Sequence, residues 1–341
     1  MNIIRKHFKK FWYNEQKYFN HQLDEISEAL LLDTSEYKRT YRLSNSRPFI
    51  RLYHCICTHK LLFIIIMFVS IPMIIYLFLL ILSKNQAFIP IQFQQNRYRL
   101  LLTVAHPDDE CLFFSPTIHV LQKQYHVNLS LLVFSRGNHA GLGYIRAIEL
   151  FGSCQALNIP KERCISLDLP NIQDNPKVWW SEQQLIPLIN QYIDKWSIDI
   201  LVSFDSKGIS GHINHRAVAS AVRLLTKNTT TNNNTMIKMS YELKSVSILR
   251  KYSSLFDFYL IFISFIPRLL RSLLSYSIPC NLISSPDLSR ILLINTPNDY
   301  IMSRNAFASH KSQHSWDRYI YLIASRYMFI NELIYIDKNF S

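Results

Sequence analysis

Glycine is scarce in this chain: six residues among 341, roughly 2% where about 7% is usual. That scarcity argues against nucleotide binding through a glycine-rich phosphate loop and against glycine-punctuated repeats. Cysteine is neither dense nor paired. Cys55, Cys57, Cys111, Cys154, Cys164 and Cys280 are scattered, without the spacing of a disulfide framework or of C-x-x-C zinc motifs, so reduced thiols are expected. Acidic charge is the minority, 24 Asp/Glu against 37 Lys/Arg, for a net charge of +13. An excess of that sign predicts anionic partners: phosphate-bearing substrates, nucleic acid or acidic lipid headgroups. With 49% hydrophobic residues, disorder of the whole chain is excluded.

What is present is first a long uncharged run, LLFIIIMFVSIPMIIYLFLLIL at 61–82. At about 1.5 Å per residue its 22 positions reach roughly 33 Å, enough to cross the hydrocarbon core. It begins too far into the chain, and is too long, for a secretory signal peptide, so it is expected to be a retained transmembrane helix. Pro72 is tolerable inside it. Residues 1–60 form a polar, basic extension with 11 Lys/Arg against 6 Asp/Glu and no motif that assigns chemistry. S-acylation of Cys55 and Cys57 is open there. Residues 83–98 read as a linker.

From residue 99 the pattern is that of an α/β domain, 99–341. Short apolar runs at 99–105, 128–134 and 199–204 alternate with helical stretches near 112–124, 143–157, 181–196 and 213–226. That alternation predicts βαβ units and a Rossmann-like, mostly parallel sheet with helices on both faces. A polar loop is expected at 228–235, and SVSIL (245–249) and RILLI (290–294) read as further strands. Residues 255–274, apolar but followed by Arg268 and Arg271, read as a membrane-interfacial segment or a buried core helix.

Two motifs carry chemistry. Ala105-His106-Pro107-Asp108-Asp109-Glu110 follows the first strand directly. Pro107 fixes its own φ and disfavours helix at His106, so the chain should turn sharply as it leaves the sheet. The adjacent carboxylates can then face apart, one joining His106 on a metal ion and the other staying free as a base. Hydrolysis of an unreactive amide needs that division of labour. An acidic surface turn is the alternative. Gly211-His212-Ile213-Asn214-His215 follows the strand at 199–204, and a helix starting near Gly211 puts His212 and His215 on one face. One imidazole can complete a three-ligand metal site with an open position, while the other acts as an acid. Two ordinary buried histidines are the alternative. Both motifs fall at the C-terminal ends of parallel strands, where ligands sit in such folds.

HPDDE after a hydrophobic strand, with GHINH about a hundred residues on, resembles the LmbE-like amidohydrolase family and, within it, the PIG-L branch. Further similar stretches are LVSFDSKGISGHINH (201–215), LRKYSSLFD (249–257) and HKSQHSWDRYIYLIASRYMFINEL (310–333). The resemblance implies a divalent metal, first of all Zn2+, held by His106, Asp109 and His215. It implies Asp108 as general base and His212 as the group that stabilises the oxyanion and protonates the leaving amine. Glu110 would support the site, Asp205 would orient a histidine, and Arg146 would contact a substrate phosphate. His310, Arg318 and Arg326 stay open between substrate contact and packing.

The implied reaction is removal of the N-acetyl group from N-acetylglucosaminyl-phosphatidylinositol, the second step of GPI-anchor biosynthesis, at the endoplasmic reticulum membrane. Another GlcNAc conjugate, or an inert scaffold keeping the fold, are the alternatives. The lipid bilayer would then be a partner and nucleic acid would not, while protein partners stay unread. Arg42, Arg47, Arg51 and Lys60 precede the apolar run while Lys84, Arg97 and Arg99 follow it. This is a weak positive-inside bias toward a cytosolic N-terminus, whereas the resemblance implies a cytosolic catalytic domain.

Overall fold

The computed structural model describes residues 59–85, 87–90, 92–95, 97–228, 237–275 and 289–337. The expectations for residues 1–58, including Cys55 and Cys57, for Cys280, and for most of the loop at 228–235 lie outside these. The chain divides into two compact units, Met1–Ile71 and Pro72–Ser341. The first contributes, among its described residues, the opening turns of helix α1 (Lys60–Ile81). Among the described residues one helical stretch, Ile66–Lys84, is long and apolar enough to cross a membrane, with a mean hydropathy of 2.6.

In the second unit the elements follow as β1 (Arg99–Val104), α2 (Asp109–Phe113), α3 (Ser115–Tyr125), β2 (Asn128–Val133), α4 (Gly143–Ala156) and β3 (Cys164–Ser166). Then come α5 (Glu182–Trp196), β4 (Ile200–Phe204), α6 (Ile213–Asn228), β5 (Met239–Leu243) and α7 (Ser254–Ser275). The chain closes with β6 (Arg290–Ile294), α8 (Pro297–Ser309), α9 (Trp316–Ala324) and β7 (Ile330–Tyr335). The strands form one seven-stranded sheet in the order β3-β2-β1-β4-β5-β7-β6. Pairings from β3 to β5 are parallel and those of β7 with β5 and β6 antiparallel, so the expected mostly parallel α/β architecture is the one observed.

The central strands are unbroken apolar runs because both faces are covered. Alternate residues sort into two cores: Leu100, Leu102, Val104, Ile200, Val202 and Phe204 face one, while Leu101, Leu132 and Leu201 face the other. Helix α5 shows the matching 3.6-residue period, burying Leu185, Ile189, Ile193 and Trp196. Its N-terminus is capped by Ser181, whose hydroxyl accepts from the Gln183 N–H.

Three expectations are corrected. Val246 and Ser247 are not strand, and Ile248–Lys251 is a single helical turn. Ser245 gives both its N–H and its hydroxyl hydrogen to Asp205 (2.7 and 2.6 Å), which takes the chain away from a sheet register. Residues 83–98 are no loose linker, because Phe88, Ile89 and Phe93 are buried in the core. Cys154 and Cys164 are joined by a disulfide rather than kept as thiols; the chain folds back from the last turn of α4 into β3 and brings them together. The segment 255–274, expected as interfacial or core, has one face of each kind. Helix α7 buries Phe258, Ile261, Phe265 and Leu269 and exposes Phe256, Ile263 and Leu270. Its buried side meets the C-terminal half of α1, where Tyr76 stacks on Phe258 (centroids 5.2 Å apart) and Phe78 meets Phe262 edge-on.

Candidate active site

The strand order reverses between β1 and β4, and a crevice at such a switch point is where α/β sheets bind ligands. Both motifs sit there. As the chain leaves β1, Asp108 adopts φ 105°, a left-handed value that strains a residue with a Cβ. The turn is over-determined by the helix that follows. Asp109 Oδ2 accepts from the N–H groups of Ala105 (3.1 Å) and His106 (2.8 Å), and Glu110 Oε2 accepts from the Asp108 N–H (3.0 Å). Glu110 is itself locked, accepting from the Ser153 hydroxyl at 2.6 Å and pairing with His310 Nε2 at 2.7 Å. Both Glu110 and His310 are wholly buried, so Glu110 supports the turn from below and His310 is a packing partner of it.

The second motif is positioned by a loop. Asp205 Oδ1 accepts from the N–H groups of Lys207 and Gly208, both at 3.0 Å. Gly208 has φ +59°, and a Cβ there would lie 2.8 Å from that of His215, so only glycine fits. Its carbonyl accepts from His215 Nδ1 at 3.1 Å. Asp205 thus meets no imidazole directly: it shapes the loop, and the Gly208 carbonyl holds the ring. With Nδ1 occupied, His215 turns Nε2 to Asp109 Oδ1 at 3.2 Å and stacks flat on Phe204 with centroids 4.1 Å apart.

His106, His212 and His215 come together, each offering a ring nitrogen within 4.8 Å of the others. Asp109 lies between two of them, 3.2 Å from His215 and 3.7 Å from His106 Nδ1. Two imidazoles flanking a buried carboxylate, with a third imidazole at the rim, are a donor set that a tetrahedral divalent ion accepts. Burial alone would raise the Asp109 pKa, but the charge and hydrogen bond of His215 overcome it and hold the carboxyl well below its ordinary range. Burial likewise works to lower the His106 pKa, and the hydrogen bond to Asp174 with the surrounding carboxylates raises it instead. His212, half-buried and facing two other imidazoles, is pushed down to about 4. Asp108 is raised by burial, against the opposing charge of Arg146.

Arg146 departs from its expected place at a substrate phosphate. It is buried, donating from Nη1 to the Gly137 carbonyl (3.1 Å) and from Nη2 to the Pro107 carbonyl (2.5 Å), with Nη2 3.6 Å from Asp108 Oδ1. Its charge serves the turn and the carboxylate. Sequence reasoning missed Asp174, whose Oδ1 lies 3.1 Å from His106 Nε2, and Asn214, whose side-chain amide lies 3.2 Å from the same nitrogen. Asn214 stands inside the second motif. Asp174 lies in the loop after β3, where no sequence motif marks it.

A family model described as PIG-L, GlcNAc-PI de-N-acetylase, matches residues 101–226. The chain is 34% identical over 238 residues to the N-acetylglucosaminyl-phosphatidylinositol de-N-acetylase of Bos taurus, covering 70% of this chain and 83% of that one. It is 35% identical over 263 residues to a probable enzyme of the same name from Dictyostelium discoideum (70% and 93%). To the Saccharomyces cerevisiae enzyme of that name it is 32% identical over 299 residues (80% and 94%).

Proposed function

The chain belongs to the PIG-L family of de-N-acetylases, and on that premise we propose that it hydrolyses the acetamide of N-acetylglucosaminyl-phosphatidylinositol to glucosaminyl-phosphatidylinositol and acetate. The observation that carries this reading is the separation of the paired carboxylates: Asp109 faces His106 and His215, while Asp108 faces Arg146.

His106, Asp109 and His215 would hold a divalent ion, with Zn2+ suited to this nitrogen and oxygen set. Such an ion, when bound, supplies Lewis acidity that lowers the pKa of water and polarises an acyl oxygen. Asp108 takes the proton of the attacking water on its carboxylate, in a buried site that keeps its proton affinity high. His212 hydrogen-bonds the developing oxyanion and helps deliver to the departing sugar nitrogen the proton that Asp108 took from the water. Glu110 and Arg146 hold the Asp108 turn in its strained conformation, and Asp205 holds the loop that presents His215.

Residues 61–82 serve as a single membrane anchor and 99–341 as the catalytic domain, on the cytosolic side of the endoplasmic reticulum membrane. An anchored catalyst shares two-dimensional diffusion with a lipid-linked sugar, and the exposed face of α7 suits the headgroup boundary. N-x-S/T sequons at Asn128, Asn228 and Asn233 report the side: a glycosidase-sensitive mass shift would put the domain in the lumen. The residue roles are tested by two variants. Asp108→Asn keeps its metal and loses turnover, His215→Ala loses both, and full activity in Asp108→Asn removes the base assignment.

A further inference from the structure

We propose that Lys251 and Arg318 form a phosphodiester-binding subsite beside Asp108, which takes the phosphate joining the sugar to its lipid. The inference rests on the substrate reading above and assigns its recognition to residues outside both motifs. Lys251 ends the helical turn Ile248–Lys251 and is 7% exposed. Its ammonium lies over three rings, Phe113 at 5.7 Å, Tyr252 at 5.4 Å and Tyr321 at 5.4 Å. Among the described residues it meets no carboxylate. A buried cation is ordinarily paired, and the comparably buried Arg326 has Asp257 at 2.8 Å. Lys251 has aromatic faces in place of an anion, which hold a cation while leaving its charge uncancelled.

The position of this ammonium relates it to the chemistry. Phe113 is the last residue of α2, which starts at Asp109. Tyr321 lies one turn along α9 from Arg318, on the same face. The Arg318 guanidinium is part-exposed, with Nη2 3.9 Å from Asp108 Oδ2. That distance is beyond hydrogen-bond reach, and Asp108 already has the nearer Arg146 at 3.6 Å. Arg318 therefore adjoins the reactive carboxylate and Lys251 adjoins Arg318, close enough to feel its charge, the arginine offering a fork and the lysine a point charge to the non-bridging oxygens of a phosphodiester. Burial first, and then the charge of Arg318, bring the Lys251 pKa down to about 8, as expected where an anion is still to arrive. The two elements that carry these cations also expose Ile248, Leu249, Trp316 and Ile320, which suits a phosphate carried at a lipid surface.

The test uses the purified full-length protein and the reactivity of the Lys251 amine toward reductive methylation, followed by mass spectrometry. Glycerophosphoinositol is expected to slow modification of Lys251 about tenfold, and Arg318→Gln to abolish that protection. Inorganic phosphate at the same concentration should protect less than about twofold. Unchanged labelling with glycerophosphoinositol overturns the subsite, and equal protection by inorganic phosphate overturns its assignment to a lipid phosphodiester. In a second arm, kcat/KM is measured on N-acetylglucosaminyl-phosphatidylinositol and on N-acetylglucosaminyl-inositol lacking the phosphate. Lys251→Met should lower the ratio of the two at least about tenfold, with Lys251→Arg restoring most of it. An equal loss on both substrates makes Lys251 structural and overturns the proposal. If the wild-type protein hydrolyses neither substrate, the functional reading fails while the labelling result still decides the subsite.

Discussion

The parallel half of the sheet and its antiparallel edge both hold buried charge, and they hold it differently. At the ends of β1 and β4 the ionisable groups come from two contiguous motifs and crowd together: His106, Asp108, Asp109 and His215 are all buried, and Asp108 sits in a strained backbone conformation. At the edge, the charges come one at a time from distant segments. Arg326 reaches Asp257, and Glu332 on β7 receives Lys244 and Arg290 (2.9 and 2.7 Å). The first arrangement tolerates strain and like-charge proximity, as a reactive site does. In the second each charge meets one of opposite sign, which ties elements together. Lys251 lies where the two regions meet and shares the habit of the first.

If that division is right, substitutions in the two regions separate turnover from stability. The largest effect is expected at Asp108: loss of a general base costs about 10²- to 10⁴-fold in rate, so acetate release by Asp108→Asn should fall by that order with little change in the denaturation midpoint. Next comes Arg326→Met at the edge, which leaves Asp257 buried beside Arg250 alone (2.5 Å). Breaking such a pair costs about 3–5 kcal/mol, read as a lowered urea midpoint. Arg326→Met protein unchanged in stability but dead in turnover would break the division.

Glu332 gives a smaller effect with a defined pH sign. Burial acts to raise its pKa, but the charges of Lys244 and Arg290 outweigh this and hold it below the ordinary glutamate value. A depressed folded-state pKa contributes stability that is present above the unfolded value of about 4.3 and lost as pH falls through the folded one. Wild-type stability should therefore decline on acidification below about pH 4.5, and Glu332→Gln should lack that part of the decline while being less stable at neutral pH. The smallest change is expected at Trp316, 77% exposed. Trp316→Ser should alter stability by no more than about 0.5 kcal/mol yet weaken sedimentation with phosphatidylinositol vesicles.

The same division describes how much could be read from sequence. Strands β1, β2 and β4 announce themselves as apolar runs because both their faces are covered, and α5 carries a clear helical period. His106, Asp108, Asp109, His212 and His215 were legible because their chemistry is packed into five- and six-residue stretches after those strands. The edge was not. MSYEL and INELIY place Ser, Asn and Glu at buried strand positions, since each polar group finds a partner outside its own strand; Asn331, for one, accepts from the Thr117 N–H and hydroxyl. SVSIL alternates like a strand but gives its serine to Asp205. No local pattern encodes that His310 meets Glu110, that Asp174 meets His106, or that Lys251 settles among three rings.

The central claim is that the paired carboxylates and histidines at the β1 and β4 ends form a metal-dependent amide hydrolase for a lipid-linked sugar. Its most direct test is acetate release from N-acetylglucosaminyl-phosphatidylinositol in vesicles by the purified full-length protein, before and after treatment with a chelator and after return of Zn2+. The account predicts release matched one for one by glucosaminyl-phosphatidylinositol, abolished by the chelator and restored by the metal. Release that persists at full rate in metal-free protein, or no release from this substrate under any metal condition, would contradict it.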